Sequence, residues 1–408
     1  MQIIYLANRW PNPSQTAAGT RSLQLLQLLQ ENDYQVTIAS FFPADTFSQQ
    51  LEQQGFQCVS LELNDSGLVD FFKSKTYEIA FFDTFLMEEK LGWVIREAIP
   101  KCMTVLDTQD LHFMRYARSK APSFSIADHK LNLNDSPTYR EIASIYRCDL
   151  TLVISLAEIK LLQNEFQINS KCLLYLPFLL DDAPLNQSNK NDFSARKGLM
   201  LLGNFLHQPN LDQAKFVIQQ LSYQIQEKLP ECSIKIIGAH PPQHLIDLAK
   251  NKKNIELLGY QEDLTAHFAE CRMMIAPLRF GAGLKGKLFD AMLHQLPFIA
   301  SEIAAEGVLG LNDRYIAKCE TEFIDKLTAV YLSESTWIKA QNRQHQLLST
   351  HFLKSDFDNQ FLDKLEEIRK HLQEHRNKLF YQNFLNYHQL QSTKYFSKWI
   401  ELKNRSQR

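Results

Sequence analysis

The sequence has no run of about 18 apolar residues, so it offers no segment that would cross a bilayer as a helix. Its start, Met1-Gln2-Ile3-Ile4-Tyr5-Leu6-Ala7, lacks the basic opening and long apolar core of a secretory signal. Seven cysteines, Cys58, Cys102, Cys148, Cys172, Cys232, Cys271 and Cys319, form no close pair and have no histidine at zinc-like spacing. That pattern speaks against a disulfide framework and against a metal site. Net charge is also small: 44 basic residues against 46 acidic ones give -2, which offers no general footprint for nucleic acid. A cytoplasmic protein is expected, with no nucleic-acid partner and with any membrane attraction confined to a local segment.

An apolar content of 45% and a charged content of 22% describe a globular chain, and 408 residues suffice for two domains with an appendage. Short β-like runs alternate with helical periodicity from the first residue, an order that favours parallel sheets covered by helices. Strands are expected at Gln2–Ala7, Gln35–Ser40, Gln57–Leu63, Glu78–Asp83, Met103–Asp107, Leu150–Ser155 and Cys172–Pro177. The polar stretch 183–197 reads as a linker. The alternation then restarts, with strands expected at Leu199–Gly203, Ser233–Gly238, Ile255–Tyr260, Met273–Leu278 and Pro297–Ser301, and a helix over Asp212–Lys228. The fold class is therefore α/β: a Rossmann-like domain over 1–182, the linker 183–197, a second Rossmann-like domain over 198–350, and a helical segment over 351–408. Two such domains in tandem leave a central cleft between the carboxyl ends of their strands, where open α/β sheets bind ligands.

One motif at such an end carries chemistry. Pro277-Leu278-Arg279-Phe280-Gly281-Ala282-Gly283-Leu284-Lys285-Gly286-Lys287 follows a buried strand and leads into a helix, so small residues let backbone N–H groups approach an anion. A helix starting near Gly283 would place Lys287 one turn on and Asp290 two turns on, about 10 Å from the glycine turn. This spacing suits a diphosphate at the turn and a ribose at Asp290. An ordinary Lys287–Asp290 helix pair and a glycine turn without a ligand are the plain alternatives.

Past about residue 320 only helices are expected. Residues 370–408 hold eight bases and two acids, 8 − 2 = +6, together with Phe380, Tyr381, Phe384, Tyr387, Tyr395, Phe396 and Trp399. Such a tail, 375–408, either docks on the body of the protein or meets lipid headgroups.

Gly203 to Ala214, Ile236-Ile237-Gly238, Leu258-Gly259-Tyr260, the 277–287 motif, and Leu296 to Ser301 followed by Ala305-Glu306-Gly307 together resemble the C-terminal half of group 1 glycosyltransferases with the GT-B fold (family 4-like). The first half is more loosely similar, through Ala17-Ala18-Gly19-Thr20-Arg21, Asp107 to Arg115, and Cys148 to Ser155 followed by Glu158.

The resemblance implies a retaining, metal-independent transferase of hexosyltransferase type. It would need no cofactor beyond a nucleoside diphosphate sugar as co-substrate, and would act on a glycan or lipid-linked acceptor in surface polysaccharide or lipopolysaccharide assembly. Donor-binding residues are then expected at Gly19, Arg21, His207, Asn210, Arg279, Gly281, Ala282, Gly283, Leu284, Lys285, Lys287, Asp290 and Glu306, with Asp110 and His112 as the catalytic pair. Asp290 stands where the family has the second of two glutamates, and Ala282 where it has the first. Gln109 stands about where many relatives have a histidine. A nucleotide-sugar epimerase of the same fold and a non-catalytic nucleotide-sugar-binding protein are the open alternatives.

Overall fold

The computed structural model describes residues 1–13, 16–62, 67–181 and 193–405. Seven strands form the first sheet: β1 (Gln2–Ala7), β2 (Gln35–Ser40), β3 (Gln57–Ser60), β4 (Ile79–Asp83), β5 (Met103–Asp107), β6 (Leu150–Val153) and β7 (Leu173–Tyr175). Their order is β3-β2-β1-β4-β5-β6-β7, and every pairing is parallel. Runs such as Ile3 to Ala7 and Ile79 to Phe82 are buried throughout, as expected of strands covered on both faces by helices. The β4–β5 register sets Asp83 beside Asp107 at the carboxyl end of the sheet.

The second sheet comprises β8 (Leu199–Leu202), β9 (Ile234–Ile237), β10 (Ile255–Gly259), β11 (Met273–Ala276), β12 (Phe298–Ser301) and β13 (Ile316–Ala317), in the order β10-β9-β8-β11-β12-β13, again parallel. In each sheet the strand order reverses once, between β1 and β4 in the first and between β8 and β11 in the second. Loops leaving neighbouring strands there diverge to opposite faces and open a crevice. The loop after β8 ends at His207, the N-cap position of a helix carrying Asn210 in its first turn, and the loop after β11 carries the glycine motif.

Several local expectations change. The helix after the glycine motif begins at Gly286, so Asp290 lies only one turn inside it. Gly283, at φ +64°, and Lys285, in extended backbone, keep the preceding residues out of the helix. Strands β3, β6 and β7 are shorter than expected, and the end of the first of these runs, Leu63, lies outside the described residues. The two-residue β13 was not expected at all, since two residues carry no periodicity. The helix after β8 runs from Gln208 to Lys228 with a π-helical turn at Val217–Leu221. Of the expected linker, 183–192 lies outside the described residues. Phe193 instead packs its ring 5.8 Å from that of Trp337, and Arg196 is buried over the same indole.

Chain segments cross between the lobes at two further places. Phe124, from the first half of the sequence, is buried in the second lobe's core between Phe216 and Phe323, at ring distances of 5.5 and 5.7 Å. Conversely, the helix Asp358–Lys370 returns to the first sheet, where Phe361, Leu365 and Ile368 join its core.

Candidate functional site

The glycine loop lies against the other lobe. A Cβ on Gly283 would stand 2.7 Å from the Cβ of Asp110, so both the left-handed backbone and the available space require glycine here. Beside it, a Cβ on Gly286 would meet Ala17 Cβ at 2.7 Å, so the helix starts Ala17 and Gly286 approach across the cleft. Ala282 packs into the first lobe's core and Leu284 into the second's.

Lys287 donates to Asn210 Oδ1 at 2.7 Å rather than forming the ordinary helix pair, while Asn210 donates to the carbonyl of Asn204 at 3.0 Å. Gly203 makes room for that arrangement, because a Cβ there would meet Asn210 Cγ at 2.6 Å. Burial pushes Lys287 down to about 7, with Lys285 adding to the effect and Asp290 opposing it. Lys285 donates to Gly283 O at 2.6 Å; burial, opposed mainly by Glu306, brings it to about 8. Asp290 is open to solvent, yet the protein crowding its carboxyl pushes it up to about 7, with Lys287 working in the other direction. A carboxylate both accessible and desolvated belongs to a recess, not to a convex surface. His207 has the same character: it is exposed, but desolvation and then Arg115 push it down to about 4 against the pull of Asp110.

Across the recess, Asp110 takes Arg115 on one oxygen and His112 Nε2 at 3.3 Å on the other. Burial raises its pKa, but Arg115, His112 and His207 more than offset this and hold it at about 2. His112 is lowered by burial, which leaves a neutral ring beside an ionised carboxylate. Gln109 sits at φ +62°, a strained backbone for a residue with a Cβ, and its amide donates to Asp83 Oδ1 at 2.9 Å and Ser22 Oγ at 3.0 Å. Gln109 is therefore bound into the first lobe rather than extended into the cleft.

Other expected donor ligands are committed elsewhere. Arg21 is buried, pairs through Nε and Nη2 with Asp107, and donates to the carbonyls of Leu176 and Pro177, so it holds the end of β5 to the chain leaving β7. Gly19 does not open its helix. Thr16 caps that helix by accepting from Gly19 N at 3.0 Å, and a Cβ on Gly19 would collide with Asn12 O. Arg279 turns away to Asp212, 2.9 Å from Nε, and over the ring of Phe216. Glu306 accepts both Nη atoms of Arg118, at 2.6 and 2.8 Å, and Arg118 also donates to Gly281 O at 2.9 Å. That pair fastens one lobe to the other.

The structure adds to the site a residue that the sequence named only within the family resemblance, not as a donor or catalytic group. Glu158 Oε1 accepts from Leu111 N at 3.0 Å and from Gly283 N at 2.8 Å, joining the lobes, while Oε2 is buried without a hydrogen bond among the described residues. Burial, then Asp110, pushes the carboxyl up to about 7. Glu141 similarly accepts from His112 N and Phe113 N. Protein carboxylates thus occupy the amides at the start of the helix His112–Ser119 and one amide of the glycine loop. In the sequence, Glu158 entered only as the end of the segment Cys148 to Ser155 that carries the looser resemblance. Nothing in that segment signals a contact with a loop 125 residues away.

Residues 196–332 match the family model described as Glycosyl transferases group 1. No curated protein matches the chain in sequence. Among solved structures it is similar to HepE of Anabaena in complex with UDP-glucose, with 13% identity, a TM-score of 0.68, and coverage of 90% of this chain and 100% of that one. It is also similar to a variant of S. aureus TarM in complex with fondaparinux, alpha-GlcNAc-glycerol and UDP (8% identity, TM-score 0.65, 90% and 99% covered). A third similar structure is WaaG, a glycosyltransferase involved in lipopolysaccharide biosynthesis (11% identity, TM-score 0.61, 88% and 98% covered). These likenesses establish the fold, two Rossmann-like lobes in the GT-B arrangement.

Proposed function

We propose, on the premise that residues 196–332 form a group 1 glycosyltransferase domain, that the chain transfers a sugar from a nucleoside diphosphate sugar to a glycan or lipid-linked acceptor, with retention at the anomeric carbon. One observation carries this reading. At the strand-order reversal of the second sheet, two lysines whose charge is weakened by burial stand beside a glycine loop, with a carboxylate one helical turn further on in an open recess. Lysines of this kind gain charge when an anion arrives, and Asp290 is placed to accept hydrogen bonds from a ribose diol.

Lys285 and Lys287 neutralise the departing diphosphate in place of a divalent ion. The bond from anomeric carbon to phosphate oxygen breaks as the acceptor oxygen bonds to that carbon, and the acceptor's proton passes to the departing phosphate oxygen. Asp110, held ionised, and His112, held neutral, orient the acceptor hydroxyl or the donor sugar from the first lobe. Solved neighbours of this fold hold UDP or UDP-glucose, which makes uridine the first base to test. Another neighbour, WaaG, is involved in lipopolysaccharide biosynthesis, which favours surface glycans as products and a working place at the inner face of a membrane.

The test is incubation with UDP-glucose and a panel of other nucleotide sugars, followed by product mass and diphosphate release. A new glycoside supports transfer. An epimerised donor points to an epimerase, and binding without turnover to a non-catalytic protein. Lys287→Ala and Asp290→Ala should each abolish release, and unchanged turnover in both would refute the site.

A further inference from the structure

The last helix, Phe380–Arg405, is amphipathic in the reverse of the usual sense. Its docked face is polar. Gln382 and Gln389 are 3% and 6% exposed. Gln382 donates to Asp149 Oδ1 at 2.9 Å and to the carbonyl of Arg147 at 3.3 Å, Asn386 donates to that same carbonyl, and Gln389 accepts from Arg96 at 2.8 Å. Helices Phe85–Ala98 and Ser136–Arg147 of the first lobe provide this seat.

The opposite face is apolar and turned outward. Phe380, Phe384, Tyr387, Tyr395 and Leu402 are 49–72% exposed and fall within an arc of roughly 80° at 3.6 residues per turn. Trp399 flanks them and is also exposed. A helix resting on a protein core normally buries this stripe. Here, hydrogen bonds hold the polar face and leave a row of aromatic rings, Phe380 to Trp399, roughly 29 Å long outside.

We infer that this outward face docks the protein on an anionic lipid bilayer, with the rings entering the headgroup layer and the lysines beside them meeting lipid phosphates. Between residues 378 and 408 the sequence places six cations and one acid, Glu401; Lys394 pairs with Glu97 of the first lobe at 2.9 Å, which leaves the other five as the charge counted toward the lipid. Phenylalanine, tyrosine, tryptophan and lysine along one helix form the composition of an interfacial anchor. No helix among the described residues is long and apolar enough to cross a membrane, so the contact lies along the surface. The same charge argues against a second copy as occupant, because a two-fold pairing would bring two strongly basic faces together. The seat also has a geometric consequence. The helix Ser136–Arg147 packs on the helix His112–Ser119, which starts at the site, so a bilayer held here lies on the acceptor-binding lobe. This last point rests on the proposed transfer; the lipid contact itself does not.

Sedimentation with vesicles tests the contact, comparing phosphatidylcholine alone with one part phosphatidylglycerol to two of phosphatidylcholine. Binding is expected only to the anionic vesicles, falling with added salt, and weakened by about tenfold or more in the triple variant Phe384→Ser, Tyr395→Ser, Leu402→Ser. Trp10, Trp93 and Trp337 are buried and Trp399 is exposed, so a blue shift of tryptophan emission on vesicles, lost in Trp399→Phe, reports the helix directly. Failure to bind anionic vesicles, or equal binding by the triple variant, overturns the proposal. So does a dimeric mass for the wild type that becomes monomeric in the triple variant, which would assign the face to a second copy. Diphosphate release from UDP-glucose, measured without vesicles, reads the transfer separately. It should be the same in wild type and triple variant, so loss of one reading leaves the other standing.

Discussion

Lys287 should make donor affinity depend on pH. In the free protein its pKa is pushed down to about 7, by burial first and by Lys285 second. A bound diphosphate favours the protonated amine, so binding draws in a proton whenever the pH exceeds that value. At pH 8.5 an amine of pKa about 7 is roughly 3% charged, so the loss of the Lys287 charge alone should lower affinity about 30-fold from its low-pH limit, equivalent to about 2 kcal/mol, and Lys285, at about 8, should add a further fall of about fourfold. Isothermal titration of UDP-glucose between pH 6 and 8.5 reads this, since the diphosphate diester of the probe does not titrate in that window. The control is Lys287→Arg, whose guanidinium stays charged throughout. In that variant the decline should begin about one pH unit higher, where Lys285, at about 8, starts to lose its proton. Affinity that stays flat from pH 7 to 8.5, or a decline unchanged in Lys287→Arg, would refute the reasoning.

Asp290→Asn should retain more donor binding than Asp290→Ala, because the amide oxygen still accepts from a hydroxyl; calorimetry with UDP-glucose distinguishes them, and equal losses would remove the ribose role. Gly283→Ala should abolish diphosphate release, since the new methyl group meets Asp110 Cβ at 2.7 Å in a backbone that disfavours a side chain; wild-type turnover would show that the lobes need not approach this closely. Glu158 has a folded pKa raised to about 7, so its contribution to stability is complete below its unfolded value and is lost as pH rises through 7. Thermal unfolding at pH 5 and pH 8 should therefore show a smaller pH-dependent loss in Glu158→Gln than in wild type, and identical slopes would contradict this. Removing one partner of the buried Arg118–Glu306 pair, as in Arg118→Met, should destabilise by about 3 kcal/mol, with partial recovery in Arg118→Met combined with Glu306→Leu. Chemical denaturation of the three proteins measures both effects.

Strands such as β1, β4 and β5 were legible because continuous apolar runs of five or six residues, bounded by polar turns, are too short to span a bilayer and have few other uses. The glycine loop was legible for a related reason: small residues concentrated between strand and helix mark a close approach of backbone. What they approach was not legible. Gly283 faces Asp110 and Glu158, and a contact spanning 125 residues of sequence leaves no local period. Arg21 and Arg279 carry the charge of an anion site and Glu306 the acceptor a sugar hydroxyl would use, yet packing brought each a protein partner first, and residue type alone does not reveal that competition. Phe124 escaped notice similarly, since one aromatic residue in a polar loop gives no sign that it enters the core of the other lobe.

The return of Asp358–Lys370 to the first sheet means that the halves of this molecule are not beads on a thread. Cleaving the chain near residue 185 and keeping the front piece would strip Phe361, Leu365 and Ile368 from a core that depends on them, while the rear piece would carry an orphaned greasy helix. Swapping front halves between similar chains should therefore succeed only when the closing helices travel with them, as a single transplant drawn from both sides of the second lobe.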